Sequence, residues 1–314
     1  MKYHNDDIAK SPKSVPRTRH VSPMPEDIRD KLSIRHEDVS ALNFIKASSP
    51  YFFRKHFRQG LRSHVMEILK RSDIQIENSG TVIDGIRWYP RAKPTNMLRI
   101  FRARLATVDS ALEEIKRVKV VEHYLGPDFI AESSEFLVDY HGPEGPCIML
   151  CGVQAFVEGQ ILDPWSLLDA DRLLPALYAD LHKAEAHSES FRSRWLRATR
   201  QKGAEFVRKI KQMIAEVKHI PDLAGAGNLV VPQTGEIRLV DINNISPVAF
   251  DAEIRLDDKG YPVCDKSIEA LSLIETKFLG RPIRPEETIY QTFLDPHRKR
   301  QVNSKEELFY RNRA

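Results

Sequence analysis

Apolar residues recur at two different spacings along this chain, and the change from one to the other marks its organisation. From Glu37 to Arg71 they return at three- and four-residue steps: Leu42, Ile45, Phe52, Phe53, Phe57, Leu61, Val65, Ile68 and Leu69. That spacing predicts an amphipathic helical segment whose other face carries Arg54, Lys55, Arg58, Arg62, Lys70 and Arg71. Ile74 to Tyr89 reads as two short β-type runs around turn residues, hence a hairpin. Met97 to Leu105 alternates apolar and basic positions, as a strand with one buried face does. Thr107 or Asp109 caps a helix that runs to about Tyr124, where Gly126-Pro127 ends it. Phe129 to Asp139 and Pro146 to Val157 are predicted strands separated by a Gly/Pro-rich turn.

After Asp163-Pro164-Trp165 the pattern changes to long helices, one over about 166–186 and another over 189–217. Leu229 to Val231 and Glu236 to Ile242 are short β-runs around the turn Pro232-Gln233-Thr234-Gly235. A last helix is expected over about 266–278, and no internal repeat is visible. A β-rich half with one helix therefore precedes a mainly helical half.

Composition narrows the classes. The chain has 314 residues, 41% hydrophobic and 29% charged, ample for a core. A net charge of only +4 gives no general affinity for polyanions, so nucleic acid is not an expected partner. Pro12, Pro16, Pro23 and Pro25 among basic and Ser residues make residues 1–36 read as a disordered basic arm. The basic face of the helical extension over 37–72 reads either as a solvated face or, with the arm, as a docking surface for an acidic protein partner or a membrane. His297-Arg298-Lys299-Arg300 opens a basic tail over 296–314, read as a solvated end.

Three cysteines suit a reducing cytoplasm. Cys147 and Cys151 stand four residues apart in one strand, roughly 13 Å, too far to bridge. The N-terminus leads into no apolar signal core, and the longest apolar stretch, Cys147 to Val157, is interrupted by Gln154; no membrane span is expected.

The chemistry concentrates in Pro221-Asp222-Leu223-Ala224-Gly225-Ala226-Gly227-Asn228 and in Val240-Asp241-Ile242-Asn243-Asn244. An acid opens a glycine-rich loop, an Asn closes it as a strand begins, and the next strand delivers a second acid. Hairpin pairing brings Asn228 and Asp241 to one end, where oxygen donors suit Mg²⁺. The alternative is that these Asx residues only cap loop backbone.

On these residues the chain resembles the protein-kinase-like superfamily, including its small divergent bacterial members. The resemblance implies an α+β, bilobal fold: a β-rich N-lobe over 73–158 and a mainly helical C-lobe over 159–295. It implies Asp222 as catalytic base, with Asn228, Asp241 and Asn243 as metal donors and ATP and Mg²⁺ as cofactors. The hairpin over the phosphates falls on Ile74 to Tyr89, with Gly80 and Gly85. The basic residue of the third strand falls on Arg99, its glutamate partner on Glu114 of the following helix, and the adenine-binding connection on Gln154 to Gly159, including Phe156 and Glu158.

The chain departs from the family pattern at four places. The hairpin lacks an intact Gly-x-Gly-x-x-Gly, and arginine replaces lysine at 99. His-Arg-Asp reads Ile220-Pro221-Asp222, and Asp-Phe-Gly reads Asp241-Ile242-Asn243. The function implied is phosphate transfer from ATP to a protein or small-molecule hydroxyl. Two alternatives stand beside it: a pseudokinase serving as a nucleotide-binding interaction module, and an ATP-grasp-type ligase suggested by the acid-x-Asn of Asp241-Ile242-Asn243.

Overall fold

The computed structural model describes residues 26–46, 49–57, 62–184 and 188–312. The fold is α+β. Its N-terminal half is built on a five-stranded antiparallel sheet. A short helix α1 (His36–Ser40) leads to β1 (Tyr51–Lys55) and β2 (Ser63–Lys70). Helix α2 (Arg71–Ser79) and a separate two-stranded hairpin, β3 (Thr81–Ile83) and β4 (Ile86–Trp88), follow before β5 (Asn96–Phe101). Helix α3 (Val108–Leu125) then precedes β6 (Ser133–Gly142) and β7 (Gly145–Ala155), and the sheet order is β1-β2-β5-β7-β6.

Strand alternation decides what each face of this sheet meets. Met66, Leu98, Ile100, Met149 and Cys151 point to one side, into a core completed by Ile28, Ile34, Val39 and Leu42. Residues of opposite parity, among them Val65, Met97, Arg99 and Gln154, face a cavity. Buried residues fall on both faces of β2, Met66 on one and Glu67 on the other, so clean alternation is lost. That is why 37–72 imitates a helix in sequence: its apolar residues belong to α1 and to two strands paired Tyr51↔Lys70 through Lys55↔Met66. The expected helical extension is thus replaced by the first two strands of the sheet.

Three further expectations are corrected. Ile28 and Ile34 are buried, so the last third of the supposed disordered arm is packed, while residues 1–25 lie outside the described residues. Ile74 to Ser79 is helical, and the hairpin begins only at Thr81. The basic tail is helix α8 (Pro296–Arg311), capped by Asp295; its Arg298 is buried against Asp265 at 2.6 Å.

Elsewhere the expected elements recur with shifted bounds: the helix expected over 166–186 is Ala170–Leu181, the run expected over Glu236 to Ile242 is Arg238–Leu239, and the helix expected to be last is followed by two more. Thr107 caps α3, its hydroxyl accepting the Ser110 N–H. Burial pushes the thiol of Cys151, in β7, up to about 12.

The C-terminal half holds β8 (Gln160–Ile161), α4 (Ala170–Leu181), the long α5 (Glu189–Val217) and β9 (His219–Pro221). Then come β10 (Leu229–Val231), β11 (Arg238–Leu239), β12 (Ile245–Pro247), α6 (Val263–Leu273) with a π-helical turn at Ile274–Phe278, and α7 (Thr288–Phe293) before α8. Its core gathers Phe206, Val207, Ile210, Met213 and Ile214 of α5 with Val118, Val121 and Leu125 of α3. Helix α3 thereby ties the two halves together.

Candidate functional site

The cavity has a volume of about 520 Å³. One wall is the sheet face bearing Val65, Glu67, Met97, Arg99 and Gln154; another is the connection from Ala155 to Ile161, which carries β7 into β8. Ile161 pairs with Val230 and Leu229 with Leu239, so the small sheet β8-β10-β11 brings Ala226 to Asn228, Val230, Val240 and Asp241 to the opposite side. The backbone N–H of Val240 donates to the Asn228 carbonyl at 2.9 Å, which seats Asn228 beside Asp241. Phe156 and Glu158 line the connection, where Glu158 accepts from Lys93 at 2.6 Å. The lining carries Arg54, Arg91, Lys93 and Arg99 together with Glu67, Glu158 and Asp241, and Arg54 and Lys93 are paired with Glu67 and Glu158.

Arg99 is the most constrained side chain of the site. It is 4% exposed; one terminal nitrogen donates to Asn243 Oδ1 and the other reaches Glu135 Oε1 and Ser133 Oγ, each at 2.8 Å. Burial lowers its pKa, and the Asp241 and Glu135 carboxylates act in the opposite direction. Its Nε and the Nε2 of buried Gln154 have no hydrogen-bond partner among the described residues, and both residues line the cavity.

The pairing runs across the sheet. Arg99 on β5 stands opposite Gly152 on β7, which stands opposite Glu135 on β6. A Cβ at 152 would sit 3.4 Å from Arg99 Nη2 and 3.5 Å from Glu135 Oε1. The guanidinium crosses β7 over this glycine to reach β6.

The partner of Arg99 is therefore a strand residue, not Glu114. Glu114 lies on the exposed side of α3 and pairs with Arg117 at 2.9 Å. Asn243, expected as a metal donor, gives its side-chain oxygen to Arg99. Gly80 caps α2 and Gly85 lies in the turn of the separate β3–β4 hairpin, and neither is in the cavity wall. The hairpin that covers the cavity is β1–β2, through Arg54, His56, Val65 and Glu67.

Asp222 stands behind the cavity wall. Its Oδ1 accepts the backbone N–H groups of Ala224 and Gly225, both at 2.9 Å, and its Oδ2 accepts from Asn244 Nδ2 at 3.0 Å. Burial, and next the charge of Asp241, push its carboxyl up to about 6 against those hydrogen bonds. The Asn228 amide donates to the Asp222 carbonyl at 2.9 Å, so this loop folds on itself.

Sequence reasoning missed Glu135, Gly152 and the Arg54–Glu67–His56 cluster. Arg54 donates to Glu67 at 2.8 Å and to Glu77 at 3.0 Å. Burial raises the Glu67 pKa, but the His56 and Arg54 hydrogen bonds outweigh it and leave that pKa low. One signal pointed to the cross-sheet pair: an isolated glycine inside a strand marks a close approach.

Among the described residues no group of three or more His, Cys, Asp or Glu is arranged to hold a metal ion. One carboxylate and one amide at Asp241 and Asn228 suit Mg²⁺ only where substrate phosphates supply the remaining oxygens. Among the described residues no helix is long and apolar enough to cross a membrane. No protein-family model matches the chain, and no curated protein matches it.

Proposed function

We propose that this chain is a divergent protein-kinase-like phosphotransferase that binds Mg·ATP between its sheet and its helical half. One observation carries the reading. A single cavity is lined by a buried arginine of the third sheet strand, by the segment linking the sheet to the helical half, and by Asn228 and Asp241. The element order supports it as well: a hairpin, a strand with a basic residue, a helix, two strands and a connection, then helices followed by the 222–228 loop. The three cysteines are all unpaired, which suits a cytoplasmic protein.

The segment from Ala155 to Glu158 would hold the adenine, and Arg99 and Asp241 would face the phosphates. Asp241 and Asn228 would hold Mg²⁺, which supplies neutralisation of the phosphate charge. In the transfer the acceptor oxygen bonds to the γ-phosphorus, the bond to the β–γ bridging oxygen breaks, and ADP leaves. The acceptor's proton passes to a base, for which Asp222, with its raised pKa, is the candidate.

A second reading is a nucleotide-binding module without turnover. It is favoured by the commitment of both Asp222 oxygens to Ala224, Gly225 and Asn244. Release of ADP from Mg·ATP, with water, the chain itself or added hydroxyl compounds as acceptor, separates the two. The first reading expects turnover that is lost in both Asp222→Asn and Asp241→Ala. Tight binding with no ADP formed leaves the second.

A further inference from the structure

We propose that His56 is a phosphoryl acceptor, taking the γ-phosphate of the bound nucleotide on Nε2 to form a phosphohistidine. The inference rests on the nucleotide reading of the cavity and adds a nucleophile in its wall. Nδ1 of His56 lies 3.0 Å from Glu67 Oε1, and both residues line the cavity. The other Glu67 oxygen accepts from Arg54 at 2.8 Å. Burial raises the Glu67 pKa, but the His56 and Arg54 hydrogen bonds hold it low, so this carboxylate is ionised and only accepts. The shared proton therefore sits on Nδ1, and in the neutral ring Nε2 carries the lone pair. Nε2 makes no hydrogen bond among the described residues, and the His56 side chain is 12% exposed against 5% for Glu67. Such a nitrogen cannot hydrogen-bond a phosphate oxygen, since both offer only lone pairs. Toward phosphorus it is a nucleophile.

Sheet register sets its reach. The His56 N–H donates to the Val65 carbonyl at 3.0 Å, and Val65 stands opposite Arg99, so the three occupy one row of the cavity face. Two strand spacings, roughly 10 Å, separate the backbones of His56 and Arg99. A triphosphate lying against Arg99 and Asp241 would carry its terminal phosphorus along this row. The next row, Arg54, Glu67, Met97 and Gln154, leads to the connection at 155–158 instead. In the step, the Nε2 lone pair bonds to the γ-phosphorus and the bond to the β–γ bridging oxygen breaks, its electron pair leaving with ADP. Nδ1 keeps its proton. The positive charge that develops on the ring lies against the Glu67 carboxylate, which also fixes the ring's orientation. No separate base is needed, which fits a site where both Asp222 oxygens are engaged by Ala224, Gly225 and Asn244.

Incubation of the full chain with Mg·ATP labelled at the γ-phosphate tests this. The expected result is a phosphoenzyme whose label is lost in acid and kept in alkali. The label maps to His56 by tandem mass spectrometry and sits wholly on Nε2, because Glu67 occupies Nδ1. Labelling falls at least tenfold in His56→Gln, whose unliganded melting curve stays that of the parent; if that variant does not fold, the site mapped in the parent decides alone. Label on a hydroxyl side chain, label on Nδ1, or undiminished labelling in His56→Gln overturns the proposal. Absence of label while Mg·ATP still raises the parent's melting temperature overturns it too, but leaves nucleotide binding standing. Absence of both overturns the two together.

Discussion

Arg99 is the residue on which the interior chemistry of the sheet turns. Its charge sits in a site 4% exposed, and Glu135, whose side chain is fully buried, supplies the counter-charge at 2.8 Å. Removing one member of such a pair strands the other without solvent, a loss of about 3–5 kcal/mol. Glu135→Ala should lower the unfolding free energy by that amount, read from the denaturant midpoint and slope. Glu114→Ala, which loses only the exposed contact with Arg117, should change stability by less than about 1 kcal/mol. Equal effects from the two variants would return the pairing role to the helix.

Asp222 supplies a pH signature at the same scale. Its folded pKa of about 6 lies above the ordinary 3.8. The native state therefore holds the proton more tightly than the unfolded chain does. Stability from this group is present below pH 4 and is lost as pH rises through 6, by about 3 kcal/mol in all. Urea titrations from pH 3.5 to 7.5 should show this fall in the parent and a flatter profile in Asp222→Asn. Superimposable profiles would mean that the carboxyl is not perturbed.

At the scale of elements, legibility in the sequence followed burial. Helices α3 and α5 sit with one face on the core and one in water, so their periodicity and caps mark them from Thr107 and from Glu189 to Val217. Strand β2 has buried residues on both faces and β1 has only Phe53 buried, so neither alternates cleanly and their apolar residues mimic helical spacing. Helix α2 has no buried residue and so no periodic core face to announce it. The turn Pro232 to Gly235 was legible, and the structure adds what it presses on. Gly235 has φ 89°, and a Cβ there would meet Thr199 Oγ1 of α5 at 2.3 Å. Gly235→Ala combines backbone strain with overpacking, each worth about 1–3 kcal/mol. A melting temperature lowered by several degrees is expected, and an unchanged one would mean that the turn is not seated on α5.

For the whole molecule, the sequence located Asn228, Asp241 and the connection at 154–159 because these are polar or special residues at element ends. It could not locate Glu135, since a carboxylate on a strand is ordinary until the register shows Arg99 and Gly152 in its row. Nor could it show that Asn243 accepts from Arg99, because that depends on a guanidinium 144 residues away.

The central claim is that this cavity holds a magnesium nucleotide. Ligand binding to the folded state raises stability by about 2.7 kcal/mol at a hundred times the dissociation constant. Thermal melting of the full chain with Mg²⁺ alone and with Mg·ATP measures this directly. The account predicts a rise of several degrees with Mg·ATP that disappears in Asp241→Ala, whose own unliganded melting stays near that of the parent. No rise in the parent, or the same rise in Asp241→Ala, would contradict it.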